Sequence, residues 1–133
     1  MSWTSAPPER TIVLMSAAAR HRPAATPEEL ADLWIARAEA RDLEGLVALY
    51  APDAVVQFGP GEASTGRDAI REAHRPIVEA PAGTPFALGT RLPTLTCGDI
   101  ALCGSTADGR GRTQVARRQP DGTWLRILDR PNP

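Results

Sequence analysis

Only the two histidines of this 133-residue sequence have side chains whose ordinary pKa lies near neutrality. All 15 basic residues are arginines, and the absence of a lysine ε-amine excludes Schiff-base chemistry and an amine general base. His74 shares a predicted helix face with Ile70, Ala73 and Ile77, which would turn its imidazole inward. Since the unperturbed pKa of histidine lies near neutrality, His74 is the first candidate for proton transfer; the alternative is a core histidine.

The other reactive groups give no metal or cofactor pattern. Cys97 and Cys103 flank a predicted tight turn, a spacing unlike the paired cysteine and histidine motifs of zinc sites, so we expect reduced thiols. The net charge is -1 and both signs are mixed along the chain, so neither nucleic acid nor a membrane surface is an expected partner. The N-terminal sequence does not read as a signal peptide, and a cytoplasmic location is expected.

One domain is expected from residue 26 onward, after an N-terminal extension over residues 1–25 that should dock on it as a strand or helix. The length and an apolar content of 42% suit one core. Thr26, Pro27 and Glu29 match a capping box that would begin a helix at Pro27. Its apolar stripe comprises Leu30, Leu33, Trp34 and Ala38.

Two further helices are predicted. Asp42 should cap a short helix that ends at Pro52 and Asp53, before a strand over residues 54–58. The apolar side of this helix would comprise Leu43, Leu46, Val47 and Tyr50. Thr65 should cap the third helix, which Pro76 is expected to kink or end.

Alternating residues and turn signals predict an antiparallel meander after Phe86. A long strand would end near Cys97, followed by strands over residues 100–105, 112–118 and 124–130, with one turn at residues 108–109. Strict alternation puts Trp124 on the outer face of the last strand, opposite Asp129. Helices followed by a meander give the α+β class.

Three segments resemble the nuclear transport factor 2-like superfamily, including its SnoaL-like and ketosteroid isomerase-like members. They are RDLEGLVALYAPDAVVQF, STGRDAIREAH and the closing VARRQPDGTWLRILDRPN. The resemblance covers residues 26–132 and implies a cone of three N-terminal helices on a curved, mostly antiparallel sheet around an apolar pocket. It also implies a homodimer through the outer sheet face. It does not imply a reaction, because the superfamily includes isomerases, cyclases, hydrolases and catalytically silent binders.

The motif alignment implies which positions face the pocket. Where ketosteroid isomerases keep their acids and base, this sequence has Trp34, Phe58 and Gln114, so steroid-type isomerisation is not expected. Relatives that hydrolyse epoxides carry Arg-x-Asp and a second Asp; here Arg112 and Asp129 match, while Gln114 replaces the acid. The resemblance thus implies Asp129 as a base that Arg112 holds ionised, or else a structural Asp129 that ties off the last strand.

Three functions stay open on this sequence. The first is a protein without metal or cofactor that binds a small apolar molecule against Trp34, Tyr50, Phe58 and Gln114. The second is an isomerase, cyclase or hydrolase that acts on a polyketide, terpene or steroid-like substrate through His74, Asp129 and Arg112. The third is a non-catalytic dimerisation or protein-binding module, which an interior closed by Trp34 and Phe58 would favour.

Overall fold

The computed structural model describes residue 19 and residues 21–86, 89–107 and 110–132. The helices are α1 (Glu29–Glu39), α2 (Leu43–Val47) and α3 (Arg67–Val78), and the strands are β1 (Tyr50–Phe58), β2 (Ser64–Thr65), β3 (Thr90–Arg91), β4 (Leu95–Cys97), β5 (Ile100–Ala107), β6 (Arg110–Arg118) and β7 (Trp124–Asn132). The strands form one sheet in the order β2-β1-β7-β6-β5-β3, and β4 also pairs with β5. Of these strand pairs, β1 with β7 is parallel and the other five are antiparallel. The predicted α+β class is confirmed; the cone shape stays a prediction.

The first two helices begin close to their predicted capping residues. The backbone N–H of Glu29 donates to Thr26 Oγ1 at 3.3 Å, and the Glu29 carboxylate accepts from the backbone N–H of Ala25 at 2.9 Å. These bonds satisfy donors before α1, but the second donor is Ala25 rather than Thr26, so the predicted capping box is incomplete. The helix begins at Glu29 rather than Pro27, and Glu28 rather than Thr26 occupies its N-cap position. The predicted Asp42 cap of α2 is confirmed, because Asp42 Oδ1 accepts from the Gly45 N–H at 2.9 Å.

Tyr50 belongs to a strand, so its predicted place on the second helix is wrong. Helix α2 ends at Val47, and β1 begins at Tyr50, which pairs with Arg126 of β7. The strand contains Pro52 and was predicted to begin only at residue 54. Pro52 lies between the register pairs of Tyr50 and Val55, where the ladder is irregular, so its missing N–H interrupts no regular pairing.

Helix α3 differs from its prediction at its start, and of the two predicted effects of Pro76, a kink or an end, the end is wrong. Gly66, with a φ of 87°, occupies the N-cap position, whereas Thr65 lies in β2 and does not cap the helix. The Gly66 N–H donates to the Ala54 carbonyl at 2.9 Å, which fixes the chain at a backbone conformation that favours glycine. The helix does not end at Pro76 but continues to Val78.

The remaining predictions concern the meander and the N-terminal extension. The long strand predicted before Cys97 is divided into β3 and β4, which both pair with β5. The turn predicted at residues 108–109 lies outside the described residues, as does most of the N-terminal extension. Its last part contacts the domain, because the buried Ala24 accepts a hydrogen bond from the Trp124 N–H at 2.9 Å. The domain boundary at residue 26 stays a prediction.

A bulge in β7 changes which side chains face the interior. Val115 of β6 pairs with Leu128 and Ala116 pairs with Arg126, so Ile127 is an extra residue on β7. Arg126 and Asp129 therefore face the same side of the sheet, whereas strict alternation would separate them. Trp124 is only 7% exposed and lies in the core, so its predicted position on the outer face is wrong.

Candidate functional site

A cavity of about 350 Å³ lies between α1, the segment before β3 and the sheet. Apolar and aromatic side chains form much of its wall, including Leu30, Trp34, Ile35, Phe58 and Phe86. Trp34 and Phe86 pack edge to face with their ring centroids 6.1 Å apart. The interior is therefore open at Trp34 and Phe58 rather than filled by them, and the volume lies in the range of small-molecule sites.

Strand register arranges the sheet side of this cavity in rows. Arg91, Ser105 and Arg112 form an outer row across β3, β5 and β6. Cys103, Gln114 and Asp129 form a middle row across β5, β6 and β7, and Ala116 pairs with Arg126 in a deeper row. All eight side chains line the cavity. The polar groups therefore lie in three successive rows of an otherwise apolar wall, from the outer edge of the sheet inward.

Asp129 is the centre of the middle row. Its Oδ2 accepts from the Tyr50 hydroxyl at 2.6 Å and lies 3.3 Å from Arg126 Nη1, and its Oδ1 accepts from the Gln114 side-chain amide at 3.0 Å. A carboxylate has about four lone-pair positions. Among the described residues these contacts use three of them, which leaves one acceptor position on Oδ1, the oxygen that accepts from Gln114.

Two partners of Asp129, Tyr50 and Arg126, both keep their protons. Burial, followed by the negative charge of Asp129, raises the pKa of Tyr50 well above its ordinary value, so its hydroxyl stays a donor. Burial tends to lower the pKa of Arg126, but the negative charge of Asp129 and its contacts with Tyr50 leave that pKa raised. The result is a buried ion pair between Arg126 and Asp129, which are 6% and 5% exposed.

His74 lies behind the cavity wall and does not line it. Its Nδ1 is 2.9 Å from the Ile70 carbonyl, so this nitrogen carries the proton, and Nε2 accepts from the Trp34 indole N–H at 3.3 Å. Burial is the largest cause that lowers the pKa of His74, which favours the neutral ring. His74 therefore positions Trp34, and the Tyr50 hydroxyl is also 3.3 Å from its Nε2.

The structure brings most of the predicted site residues together. Trp34, Phe58, Gln114, Asp129 and Arg112 line one cavity, whereas Tyr50 and His74 lie beneath its wall. The guanidinium that forms the ion pair with Asp129 is that of Arg126. Arg112 lies one row further out, and its predicted role of holding Asp129 ionised stays a prediction.

The sequence prediction missed Arg126 and Ser105, two of the cavity's polar side chains. Strict alternation assigned Arg126 to the outer face together with Trp124, because a bulge leaves no signal in that pattern. An arginine inside the apolar run from Leu125 to Leu128 was the available sign of a buried charge. Among the described residues, no group of three or more His, Cys, Asp and Glu side chains could hold a metal ion.

Comparisons with known proteins agree with this fold. The SnoaL-like domain family matches residues 31–129, and the curated proteins give no significant match. One similar solved structure is an NTF2-like protein of unknown function from Pseudomonas putida KT2440, with 26% identity, 87% of each chain covered and a TM-score of 0.63. A protein of unknown function with a cystatin-like fold from Nostoc punctiforme PCC 73102 has 18% identity and a TM-score of 0.66, with 88% of this chain and 92% of that one covered. A ketosteroid isomerase-like protein from Erwinia carotovora atroseptica has 18% identity and a TM-score of 0.60, with 77% and 89% covered.

Proposed function

The chain belongs to the SnoaL-like domain family and is similar to an NTF2-like protein, and on that premise we propose that it binds one small, largely apolar molecule. The ligand lies in the cavity beside α1 and donates a hydrogen bond to Asp129. The observation that carries this proposal is a buried carboxylate with one open acceptor position in the wall of an apolar cavity.

The anchor suits a neutral donor such as a hydroxyl group. Tyr50, Gln114 and Arg126 already hold the carboxylate, so it needs no reorganisation when a ligand hydroxyl arrives. Removal of solvent by the walls of Trp34, Phe58 and Phe86 strengthens such a charge-assisted hydrogen bond. The apolar body of the ligand contributes by burial against the same side chains.

A matched pair of ligands tests this anchor without altering the protein. 2-Naphthol has a hydroxyl donor, and 2-methoxynaphthalene has the same rings without it. Isothermal titration should give about tenfold tighter binding for 2-naphthol, the value of one hydrogen bond to a charged group. Equal affinities, or binding of neither molecule, would contradict the proposal.

A variant of Asp129 tests whether this residue causes the preference for 2-naphthol. The D129N change removes the charge and should reduce the preference for 2-naphthol to about twofold, provided that circular dichroism shows a folded protein. The matched control is D68N, because Asp68 is an exposed carboxylate on α3 and its loss should leave the preference unchanged.

The second candidate is an enzyme that acts on a polyketide, terpene or steroid-like substrate. The open position on Asp129 favours it, since that oxygen could take a proton from a carbon next to a ketone while the electron pair moves to the ketone oxygen. Incubation of 2-tetralone in D₂O would then show deuterium gain by mass spectrometry that D129N abolishes. If the deuterium exchange of 2-tetralone is no faster than in buffer without protein, the enzyme function is wrong and only the binding function remains.

We also propose a homodimer through the outer sheet face. Support comes from a row of apolar side chains, Leu95, Leu102, Val115 and Leu128, that are paired in register across β4, β5, β6 and β7. Leu95, Leu102 and Leu128 are 65%, 42% and 48% exposed, which is unusual for neighbouring large apolar residues. A two-fold interface between identical apolar rows would cover them.

A cytoplasmic location belongs to the same proposal. Cys97 is exposed and Cys103 is half-buried, and both thiols are free, as a reducing compartment keeps them. None of the described helices is long and apolar enough to cross a membrane.

A further inference from the structure

The outer row of the cavity contains a polar group that the proposed anchor does not use. Ser105 is only 6% exposed, and its side chain lines the cavity from β5. Within the described part of the chain its hydroxyl makes no hydrogen bond, although every other buried polar residue there makes at least one side-chain contact. The hydroxyl oxygen is not among the fully buried side-chain atoms without a partner, so it opens onto the cavity, where a ligand can reach it.

From this placement we infer that the cavity takes a ligand with two polar ends. One end donates to Asp129, and the other meets the Ser105 hydroxyl one row nearer the outer edge. This inference rests on the proposed binding function and names the class of ligand: an elongated apolar molecule with a hydroxyl at one end and a hydroxyl or carbonyl oxygen at the other.

The spacing of the rows sets the length of that molecule. Ser105 and Cys103 are two residues apart on β5, which places their rows about 7 Å apart along the strands. Asp129 lies two strands from β5, a distance of about 10 Å across the sheet. The side chains extend into the space between these positions, so a rigid body of about two fused rings fits.

The charges around the cavity favour an uncharged second end. Arg91, Arg112 and Arg126 line the cavity together with Glu28 and Asp129. Arg91 also forms an ion pair with Asp32, and Arg126 does so with Asp129. Two of the three arginines are thus already paired, so a carboxylate on the ligand would have to compete with Asp32 and Asp129 for their charges.

Three ligands and two variants test the inference by isothermal titration. 2,6-Dihydroxynaphthalene has a second hydroxyl that 2-naphthol lacks, so it should bind about tenfold more tightly: about fivefold from one neutral hydrogen bond and about twofold because its two hydroxyls are equivalent. The S105A variant should reduce this ratio to the statistical value of about 2, while S64A, which removes a hydroxyl outside the cavity, should leave it near tenfold. 6-Hydroxy-2-naphthoate should bind more weakly than the diol.

The outcomes separate this inference from the proposed function. If 2-naphthol binds more tightly than 2-methoxynaphthalene but the diol gains no more than the statistical factor of about 2, the two-ended ligand is wrong and the Asp129 anchor stands. A larger diol advantage that S105A leaves unchanged also overturns the two-ended ligand, because the second contact is then elsewhere. Tighter binding of 6-hydroxy-2-naphthoate overturns the uncharged end, and failure of all three ligands to bind overturns the proposed function itself.

Discussion

The two faces of strands β5, β6 and β7 carry opposite kinds of side chain. On the inner face, Gln114, Arg126 and Asp129 form a polar network with Tyr50 in a buried environment. On the outer face, Leu102 and Leu128 are apolar and exposed. Ordinary sheets place these classes the other way round.

This inverted distribution indicates a different kind of binding partner for each face of the sheet. A buried ion pair costs desolvation and is a poor way to stabilise a fold, so the inner network is better explained by a ligand than by stability. An exposed apolar row costs solubility, so the outer face is better explained by a second protein surface. The bulge at Ile127 permits both, because it turns Arg126 and Asp129 inward together while Leu128 stays outside.

The largest expected effect comes from breaking the inner ion pair. R126M leaves Asp129 buried without its cation and should lower the free energy of unfolding by about 3–5 kcal/mol. Urea denaturation measures this change. The double variant R126M/D129L removes both charges and should recover more than half of the loss; a single variant within about 1 kcal/mol of wild type would show that no buried ion pair exists.

The outer face should respond through assembly rather than folding. L102E places a charge in the centre of the apolar row and should weaken the dimer at least about 100-fold, because two copies of the charge would be buried at a two-fold interface. Analytical ultracentrifugation measures the dissociation constant. A63E adds the same charge at an exposed position outside the row and should leave it unchanged. Unaltered dimerisation of L102E would exclude this face.

The smallest effect is a pH dependence from His74. Its folded pKa lies below the ordinary value of 6.5, so the unfolded chain binds the proton first as the pH falls. Stability is therefore full above about pH 6.5 and declines below it, by at most about 1.4 kcal/mol per pH unit for one proton. Urea denaturation from pH 7.5 to 5.5 should show this slope in wild type and a flatter line in H74Q. Parallel lines would mean that the pKa of His74 is the same in the folded and unfolded states.

The sequence predicted the elements whose signals are local. The Asp42 cap and the hairpins of the meander each depend on a few neighbouring residues, and the α+β class follows from the order of the elements. Tyr50 was misplaced because its helical spacing competes with pairing to β7, a contact 76 residues away. Tertiary pairing overrides local propensity in such cases.

The sequence predicted several residues of the site, but it did not predict the hydrogen bonds and ion pairs between them. Asp129 and Gln114 were identified through family resemblance, and they do line one cavity. Arg126 was missed because a one-residue bulge reverses the faces of the strand without altering its composition. The position of His74 beneath the wall depends on how Trp34 and Phe58 pack, which helix periodicity does not describe.

Native mass spectrometry of freshly purified protein tests both faces of the sheet at once. We expect a wild-type dimer in which each chain retains one small molecule that is lost at raised collision energy, and a monomer with one molecule for L102E. A wild-type protein that appears as a monomer with nothing bound, and that takes up no 2-naphthol when it is added, would contradict the central claim.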